Sequence, residues 1–261
     1  MSSSWRHPSF GINTVVLCSS VSRFFAHPFV YISDFYYFWI LLREKSEIMA
    51  KEDMNKKIVT LLKKVFTYIA KDIPKGKGHL RIPLDEDGNY RVSEQDLRFA
   101  FVEKLLRCRG FRGVFYAVDA PTIYKYKFTE NKRLLDPVCV DEGGDRGRAV
   151  GIDLVLYKGR ERIALIEFKD NNASEHEYAK DFIKLSQEPG DNLVRMLVEI
   201  FRTSDDGTLK QVKRKLFKNH RGNIGDNTGY YGLSLNHNLG EKVMFTFDRT
   251  KEDYPMKVIN K

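Results

Sequence analysis

The sequence has few of the features that mark disulfide-bonded, zinc-binding or membrane-spanning proteins. Its three cysteines, Cys18, Cys108 and Cys139, lie far apart and form no CxxC pair. This spacing predicts neither a disulfide framework nor a structural zinc site, and it favours a reducing, cytoplasmic compartment. No stretch of the sequence reaches the roughly 18 consecutive apolar residues that a membrane-spanning helix needs.

The first 48 residues differ in composition from the rest of the chain. Residues 9–42 are rich in Phe, Tyr, Val and Ile, although Arg23 and Asp34 interrupt them. We interpret residues 1–48 as an atypical hydrophobic segment, either an anchor or the product of a misassigned translation start. Residues 49–261 are then the domain that carries the function, and we expect no membrane partner for them.

Positive charge is in excess, with 44 Lys and Arg against 35 Asp and Glu and a net charge of +9. Because Lys and Arg neutralise phosphates, this excess suits a polyanionic partner such as nucleic acid. Hydrophobic residues make up 42% and charged residues 30% of the chain, which is typical of a globular domain with a real core. Net charge informs on association and not on fold, so the composition admits nucleic-acid binding without requiring it.

The spacing of apolar residues predicts alternating helices and strands. We predict helices over 54–71, 93–107, 174–187 and 203–218, and strands over 113–118, 122–128, 151–157, 162–168, 193–201 and 243–247. Residues 129–150 and 221–232 are polar or rich in glycine and are predicted to be loops. This order of elements predicts an α/β domain with helices around a mixed sheet.

Two of these strands, 151–157 and 162–168, form a predicted hairpin with charged residues on one face. If the turn is centred on Arg160, antiparallel pairing places Asp153 opposite Glu167, with their Cβ atoms about 5 Å apart. Lys169 lies two positions beyond Glu167 and therefore on the same face. The other face is uniformly apolar and consists of Ile152, Leu154, Leu156, Ala164, Ile166 and Phe168.

Two opposed carboxylates in the interior of a sheet repel each other and are costly to bury. A divalent cation removes this conflict, because carboxylate oxygens are the ligands that Mg²⁺ prefers. A neighbouring lysine can then orient the attacking water and offset phosphate charge. The residues thus favour a metal-dependent phosphodiesterase. A surface salt-bridge cluster on a half-exposed hairpin explains the same residues and stays open as the alternative.

The pattern of Asp153, thirteen intervening residues and then Glu167-Phe168-Lys169 resembles the D-x(n)-E-x-K motif of the PD-(D/E)XK nuclease superfamily, which includes the restriction endonucleases. With the helices on either side, residues 90–202 resemble that superfamily's core. The sequence departs from the older form of the motif because no proline precedes Asp153. The resemblance implies an α/β fold with a restriction endonuclease-like αβββαβ core, in which helices flank a mixed central sheet.

The resemblance also implies roles for individual residues. Asp153, Glu167 and the backbone carbonyl of Phe168 would bind Mg²⁺ or Mn²⁺, and Lys169 would be the catalytic lysine that orients the attacking water. Superfamily members often carry another acid on the preceding helix. Glu94 and Glu103 compete for that role, and we favour Glu94, although stabilisation of the helix N-terminus also explains an acid there.

Four basic residues are predicted to contact nucleic acid. Lys180 and Lys184 are four positions apart on one helix beside the hairpin, and Lys213 and Arg214 belong to a second basic run. DNA is the expected substrate, cleaved by an endonuclease, and a homodimer stays open. The alternative function is a catalytically inactive nuclease-like domain that binds nucleic acid or a protein, although the intact Asp, Glu and Lys set argues against it.

Overall fold

The computed structural model describes residues 31–88, 90–127, 138–139, 147–190, 192–218, 228–236, 242–248 and 254–259. The chain divides into two units, Met1–Ser46 and Glu47–Lys261, and the sheet lies entirely in the second unit. None of the described helices is long and apolar enough to cross a membrane.

Four α-helices lie in the described residues, and each overlaps a predicted helix, although the first begins at Tyr31 and not at residue 54. They are α1 (Tyr31–Thr67), α2 (Glu94–Arg107), α3 (Glu175–Gln187) and α4 (Asp206–Lys213), with π-helical turns Tyr68–Asp72 and Arg214–Lys218 following α1 and α4. Ser93 is the N-cap of α2, because its hydroxyl accepts a hydrogen bond from the Asp96 N–H and the Asp96 side chain accepts one from the Ser93 N–H. Such reciprocal capping satisfies two otherwise unpaired donors at the start of a helix.

A seven-stranded mixed sheet forms the centre of the second unit. Its members are β1 (Val114–Pro121), β4 (Gly151–Lys158), β5 (Glu161–Asp170), β6 (Val194–Phe201), β7 (Thr228–Ser234), β8 (Val243–Phe247) and β9 (Met256–Val258), while β2 (Tyr126–Lys127) and β3 (Val138–Cys139) pair separately. The spatial order is β1-β4-β5-β6-β7-β8-β9, with β5, β6 and β7 parallel and the other neighbours antiparallel. The predicted α/β class with a mixed sheet is thus confirmed.

Helices cover both faces of this sheet. Ile58 of α1 and Phe101 of α2 belong to one buried apolar cluster, and Tyr178 of α3 and Leu209 of α4 belong to the other. Strand β6 is buried along its whole length as a result. Strands covered on both faces are nearly continuous runs of apolar residues, as β6 is, and its two charged residues are therefore conspicuous.

The hairpin of β4 and β5 has the predicted register over its central part. Leu154 lies opposite Ile166, as the predicted pairing requires, and a bulge shifts the register between Leu156 and Tyr157. The prediction of a uniformly apolar face on the hairpin is only partly correct. Ile152 packs in one apolar cluster, whereas Leu154 packs in the other. The change lies beside Asp119, a β1 residue with φ of 50°, which is left out of the β1–β4 pairing although the register is the same on either side of it.

Several predicted boundaries are wrong. Strand β1 continues through Pro121, beyond the predicted strand end at residue 118. Residues 228–232 belong to β7 although their glycines suggested a loop. Gly232 is needed there, because a Cβ atom at this position would collide with the ring of Phe245 on β8. Most of the predicted loop 129–150 lies outside the described residues.

Candidate active site

Four elements of the fold bring charged side chains together at one place. Strand β4 contributes Asp153 and β5 contributes Glu167 and Lys169, while α2 contributes Glu94 and Arg98, and α3 contributes Asp181 and Lys184. The three predicted hairpin residues are therefore joined by residues from the helix on each side. We call this group the charged cluster.

Asp153 is held by two donors. Its Oδ1 lies 2.7 Å from Nη2 of Arg98, and its Oδ2 accepts a hydrogen bond of 2.8 Å from the Phe168 N–H. Arg98 is only 6% exposed and also lies 3.3 Å from the Asp119 carboxylate. Donors on both oxygens fix the orientation of the Asp153 carboxylate toward the β5 strand.

Glu167 is almost completely buried and pairs with a lysine. Its Oε1 lies 2.6 Å from Nζ of Lys184, which also lies 2.8 Å from Asp181 and donates to the Gly151 carbonyl at 3.0 Å. The Lys184–Glu167 contact is an ion pair without hydrogen-bond geometry, so this Oε1 has no hydrogen-bond donor among the described residues. Burial, together with the Asp181 charge, raises the pKa of Glu167 well above its ordinary value despite the opposing effect of Lys184.

Lys169 is held between two carboxylates. Its Nζ lies 2.6 Å from Asp181 and 3.4 Å from Glu94. Burial lowers the pKa of Lys169, but Asp181 and Glu94 raise it by more, so its pKa lies above the usual value. Lys169 consequently stays protonated at neutral pH, and it can act as a hydrogen-bond donor and a positive charge but not as a base.

The two candidate acids on α2 occupy different surroundings. Glu94 contacts Lys169, whereas Glu103 accepts a hydrogen bond of 2.6 Å from the Tyr68 hydroxyl and pairs with Arg107 at 3.0 Å. Burial raises the pKa of Glu94; Lys169 opposes this rise, and Asp153 adds a smaller contribution to it. The structure therefore places Glu94, the acid that the sequence favoured, in the charged cluster.

Negative charge exceeds positive charge in and beside the cluster. Five carboxylates (Glu94, Asp119, Asp153, Glu167 and Asp181) contact three cations (Arg98, Lys169 and Lys184), which leaves a formal excess of two negative charges. One divalent cation would balance this excess, and carboxylate oxygens are hard ligands that suit it. The buried Oε1 of Glu167, which lacks a hydrogen-bond donor, fits the same role.

In the described part of the chain, no group of three or more Asp, Glu, His or Cys side chains is already arranged to hold a metal ion. Arg98 and Lys184 now neutralise the two carboxylates that the sequence assigned as ligands. The donor set therefore fits a divalent cation in chemistry and charge, while Lys184 or Arg98 would have to share its carboxylate with the cation.

The four predicted nucleic-acid contacts differ in exposure. Lys184 is 4% exposed, and its ammonium group lies in the ion pairs of the charged cluster. Lys180 and Arg214 are exposed and Lys213 is half-buried, and these three lie outside the cluster's ion pairs. Lys180 and Lys184 lie on different faces of α3. Lys180 faces solvent, whereas Lys184 belongs to the buried face together with the apolar residues around it.

Arg98 and Asp181 are cluster residues that the sequence assignment missed. Arg98 is four positions after Glu94 on α2, and Asp181 is three positions before Lys184 on α3. These are the spacings at which side chains meet on one helix face. A search for charged residues three or four positions from Glu94 and from Lys184 finds both Arg98 and Asp181.

Comparison with known proteins adds no relative. None of the family models matches the chain, and searches of the curated proteins and of the solved structures gave no match.

Proposed function

We propose that this protein is a divalent-metal-dependent nuclease of the restriction endonuclease-like class that hydrolyses phosphodiester bonds, with DNA as its substrate. The observation that carries the proposal is the meeting of Asp153, Glu167 and Lys169 with Glu94 from the preceding helix. The cluster together with the neighbouring Asp119 has a formal excess of two negative charges, which one divalent cation would neutralise.

The order of elements supports the same class. Helix α2, strands β1, β4 and β5, helix α3 and strand β6 follow one another in the αβββαβ order that the sequence resemblance implies. The antiparallel pair β4–β5 and the parallel pair β5–β6 make the sheet mixed at this place. Strands β2 and β3 stand outside the main sheet and leave this order intact.

Asp153, Glu167 and the backbone carbonyl of Phe168 would hold Mg²⁺ or Mn²⁺. When bound, the cation supplies polarisation of the phosphate and a lowered pKa for the attacking water. Arg98 and the Phe168 N–H keep the Asp153 carboxylate oriented, and Lys184 stabilises the buried Glu167.

The protonated Lys169 supplies fixed positive charge beside these carboxylates. Asp181 and Glu94 hold its ammonium group in place, so that it can orient a water molecule and stabilise charge that develops on the phosphate. The raised pKa of Glu94 brings this carboxylate closer to the range in which it accepts a proton at neutral pH.

One observation favours the second candidate function, a nuclease-like domain that binds nucleic acid or protein without cutting. Arg98 and Lys184 already satisfy much of the charge on Asp153 and Glu167. A domain that had lost metal dependence would keep such ion pairs for stability. Lys169 pairs with Asp181 and Glu94, so neutralisation of Asp153 and Glu167 does not explain its presence. The intact Lys169 therefore favours the catalytic function.

A cleavage assay separates the two functions. Supercoiled, linear and branched DNA and single-stranded RNA are incubated with the wild type in Mg²⁺ or Mn²⁺, and with Lys169→Met. Because Lys169 acts through charge and hydrogen bonding at the reacting phosphate, we expect its loss to lower the cleavage rate by about 100-fold or more. Lys63→Met, at an exposed position of α1 away from the predicted nucleic-acid contacts, is the matched control and should keep most of the rate.

Metal-dependent cleavage that survives Lys169→Met would reject these residues as the active site. Absence of cleavage on all four substrates, together with retained DNA binding by the wild type, would favour the binding domain. Circular dichroism of each variant establishes that the protein is folded.

A further inference from the structure

The turn that joins β5 to α3 has an unusual backbone. Asn171 and Asn172 follow each other with φ of 47° and 57°. Residues other than glycine rarely adopt this left-handed conformation, and each such residue is held there by its surroundings. The turn begins two residues after Lys169 and leads into the helix that carries Asp181 and Lys184.

Glu199 of β6 holds this turn from the buried side. Its Oε1 accepts hydrogen bonds from the Asn172 N–H at 3.0 Å and from the Tyr178 hydroxyl at 2.5 Å. Its Oε2 accepts one of 2.6 Å from the hydroxyl of Tyr230 on β7. Glu199 is completely buried in the sheet, so these three donors provide the partners that a buried carboxylate requires.

Lys215 holds the turn from the other side. Its Nζ donates to Oδ1 of Asn172 at 2.9 Å and to the carbonyl of Ala173 at 2.8 Å. The Asn171 N–H also donates to the carbonyl of Ile200 at the end of β6. The left-handed turn is therefore fixed by side chains from two elements and by the backbone of β6.

We propose that Glu199 is a positioning residue of the active site. By fixing the turn and Tyr178 together, it sets the distance between Lys169 on β5 and Asp181 on α3, which form the 2.6 Å ion pair of the cluster. This inference rests on the proposed function, because it assigns Glu199 to the geometry of that same site.

The chemistry of Glu199 explains why a carboxylate stands in an apolar strand. In its ionised form, which prevails above pH 7, the Glu199 carboxylate offers acceptors on both oxygens and carries no donor. Glutamine has the same shape but presents an NH₂ group to one of the three donors. Glu199→Gln should therefore loosen the turn and leave the volume of the core unchanged.

The test measures the reactivity of lysines and uses no substrate. Full-length protein is treated with acetic anhydride, and mass spectrometry gives the acetylation rates of Lys169 and Lys184. A loosened turn exposes both ammonium groups more often, and a loss of about 1.4 kcal/mol in local stability corresponds to an approximately tenfold faster reaction. We expect a rise of this size in Glu199→Gln.

Glu188→Gln is the matched control. Glu188 is also buried, and it accepts hydrogen bonds from the Ile123 N–H and the Tyr124 N–H, away from the β5–α3 turn. This substitution should lower overall stability without accelerating acetylation of Lys169. Equal acceleration in both variants, or none in folded Glu199→Gln, would overturn the proposal. If Glu199→Gln does not fold, Tyr230→Phe removes one donor and should produce a smaller rise.

The acetylation result does not depend on nuclease activity. If the wild type cuts DNA, we expect Glu199→Gln to lower kcat by about tenfold while KM stays constant, since positioning affects the transition state more than substrate binding. If the wild type cuts nothing but the lysines respond as described, the proposed function fails and the role of Glu199 in fixing the cluster stands.

Discussion

Lys184 is the most buried of the three cations in the charged cluster. Its ammonium group is shared by Glu167, Asp181 and the carbonyl of Gly151. Burial lowers the pKa of Lys184, but the two carboxylates raise it by more, so the group remains charged. Removing one partner of a buried ion pair is strongly destabilising, because the remaining charge is left without compensation in the interior.

We expect Lys184→Met to lower the free energy of unfolding by about 3–5 kcal/mol, the usual cost of a broken buried ion pair. Methionine fills much of the volume of the lysine stem, so the loss reports the charge and not a cavity. Urea denaturation measures it. The matched control is Lys180→Met on the exposed side of the same helix, with an expected change within about 0.5 kcal/mol. Similar losses in the two variants would show that the buried ion pair contributes little.

The same residue bears on metal binding. If a divalent cation binds where Lys184 now stabilises Glu167, Mg²⁺ should restore more stability to Lys184→Met than it adds to the wild type. A thermal melt with and without Mg²⁺ measures this difference. Equal shifts in both proteins would contradict competition between the lysine and the cation.

At the scale of elements, β6 combines complete burial with a titratable glutamate. Burial raises the pKa of Glu199 to about 7 from an ordinary 4.5, although hydrogen bonds from Tyr178 and Tyr230 oppose the shift. Between these two pH values the folded protein binds a proton at Glu199 that the unfolded chain has released. The Glu199 contribution to stability is therefore greatest at low pH and is lost as pH rises through this window.

The expected size of this effect is about 3 kcal/mol between pH 4.5 and pH 7, from the conversion of pKa to free energy. The wild type minus Glu199→Gln difference in unfolding free energy isolates it from other titrating groups. The unfolding free energy of the wild type should fall relative to that of Glu199→Gln as pH rises from 5 to 8. A difference that is constant over this range would show that Glu199 titrates normally.

Local sequence signals were sufficient for the elements around the site. Helices α2 and α3 have apolar periodicity and a serine N-cap, and the β4–β5 register follows from a short turn between apolar runs. Strands β7 and β9 were missed. Gly229 and Gly232 of β7 are acceptable in a strand because they lie in a fully assembled sheet, where Gly232 makes room for Phe245.

The charged cluster was only partly predictable for a related reason. Strand alternation placed Asp153, Glu167 and Lys169 on a common face, but their counterions come from helices that are distant in sequence. Which side of α3 is buried depends on its packing against β6 and β5, and the sequence does not specify that packing directly. Lys184 was therefore predicted only as a nucleic-acid contact, whereas the structure shows it as an interior cation of the cluster.

At the scale of the whole molecule, the unit Glu47–Lys261 contains the sheet and both apolar clusters. The part of α1 that belongs to the core begins at Ile58, which is completely buried. We expect a chain that starts at residue 47 to fold with a free energy of unfolding within about 1 kcal/mol of the full-length value, since all the buried core residues that the structure describes are kept. Urea denaturation of both chains measures it, and a failure of the shorter chain to fold would contradict an independent core.

The central claim is that the charged cluster binds a divalent cation, and Mn²⁺ binding followed by electron paramagnetic resonance tests it most directly, because no substrate has to be chosen. We expect one Mn²⁺ per wild-type chain, loss of that binding in Asp153→Asn and in Glu167→Gln, and retention in Glu103→Gln, whose carboxylate lies elsewhere on α2. Each variant is first shown to be folded. Absence of Mn²⁺ binding in the wild type, or binding that survives both cluster substitutions, would contradict the account.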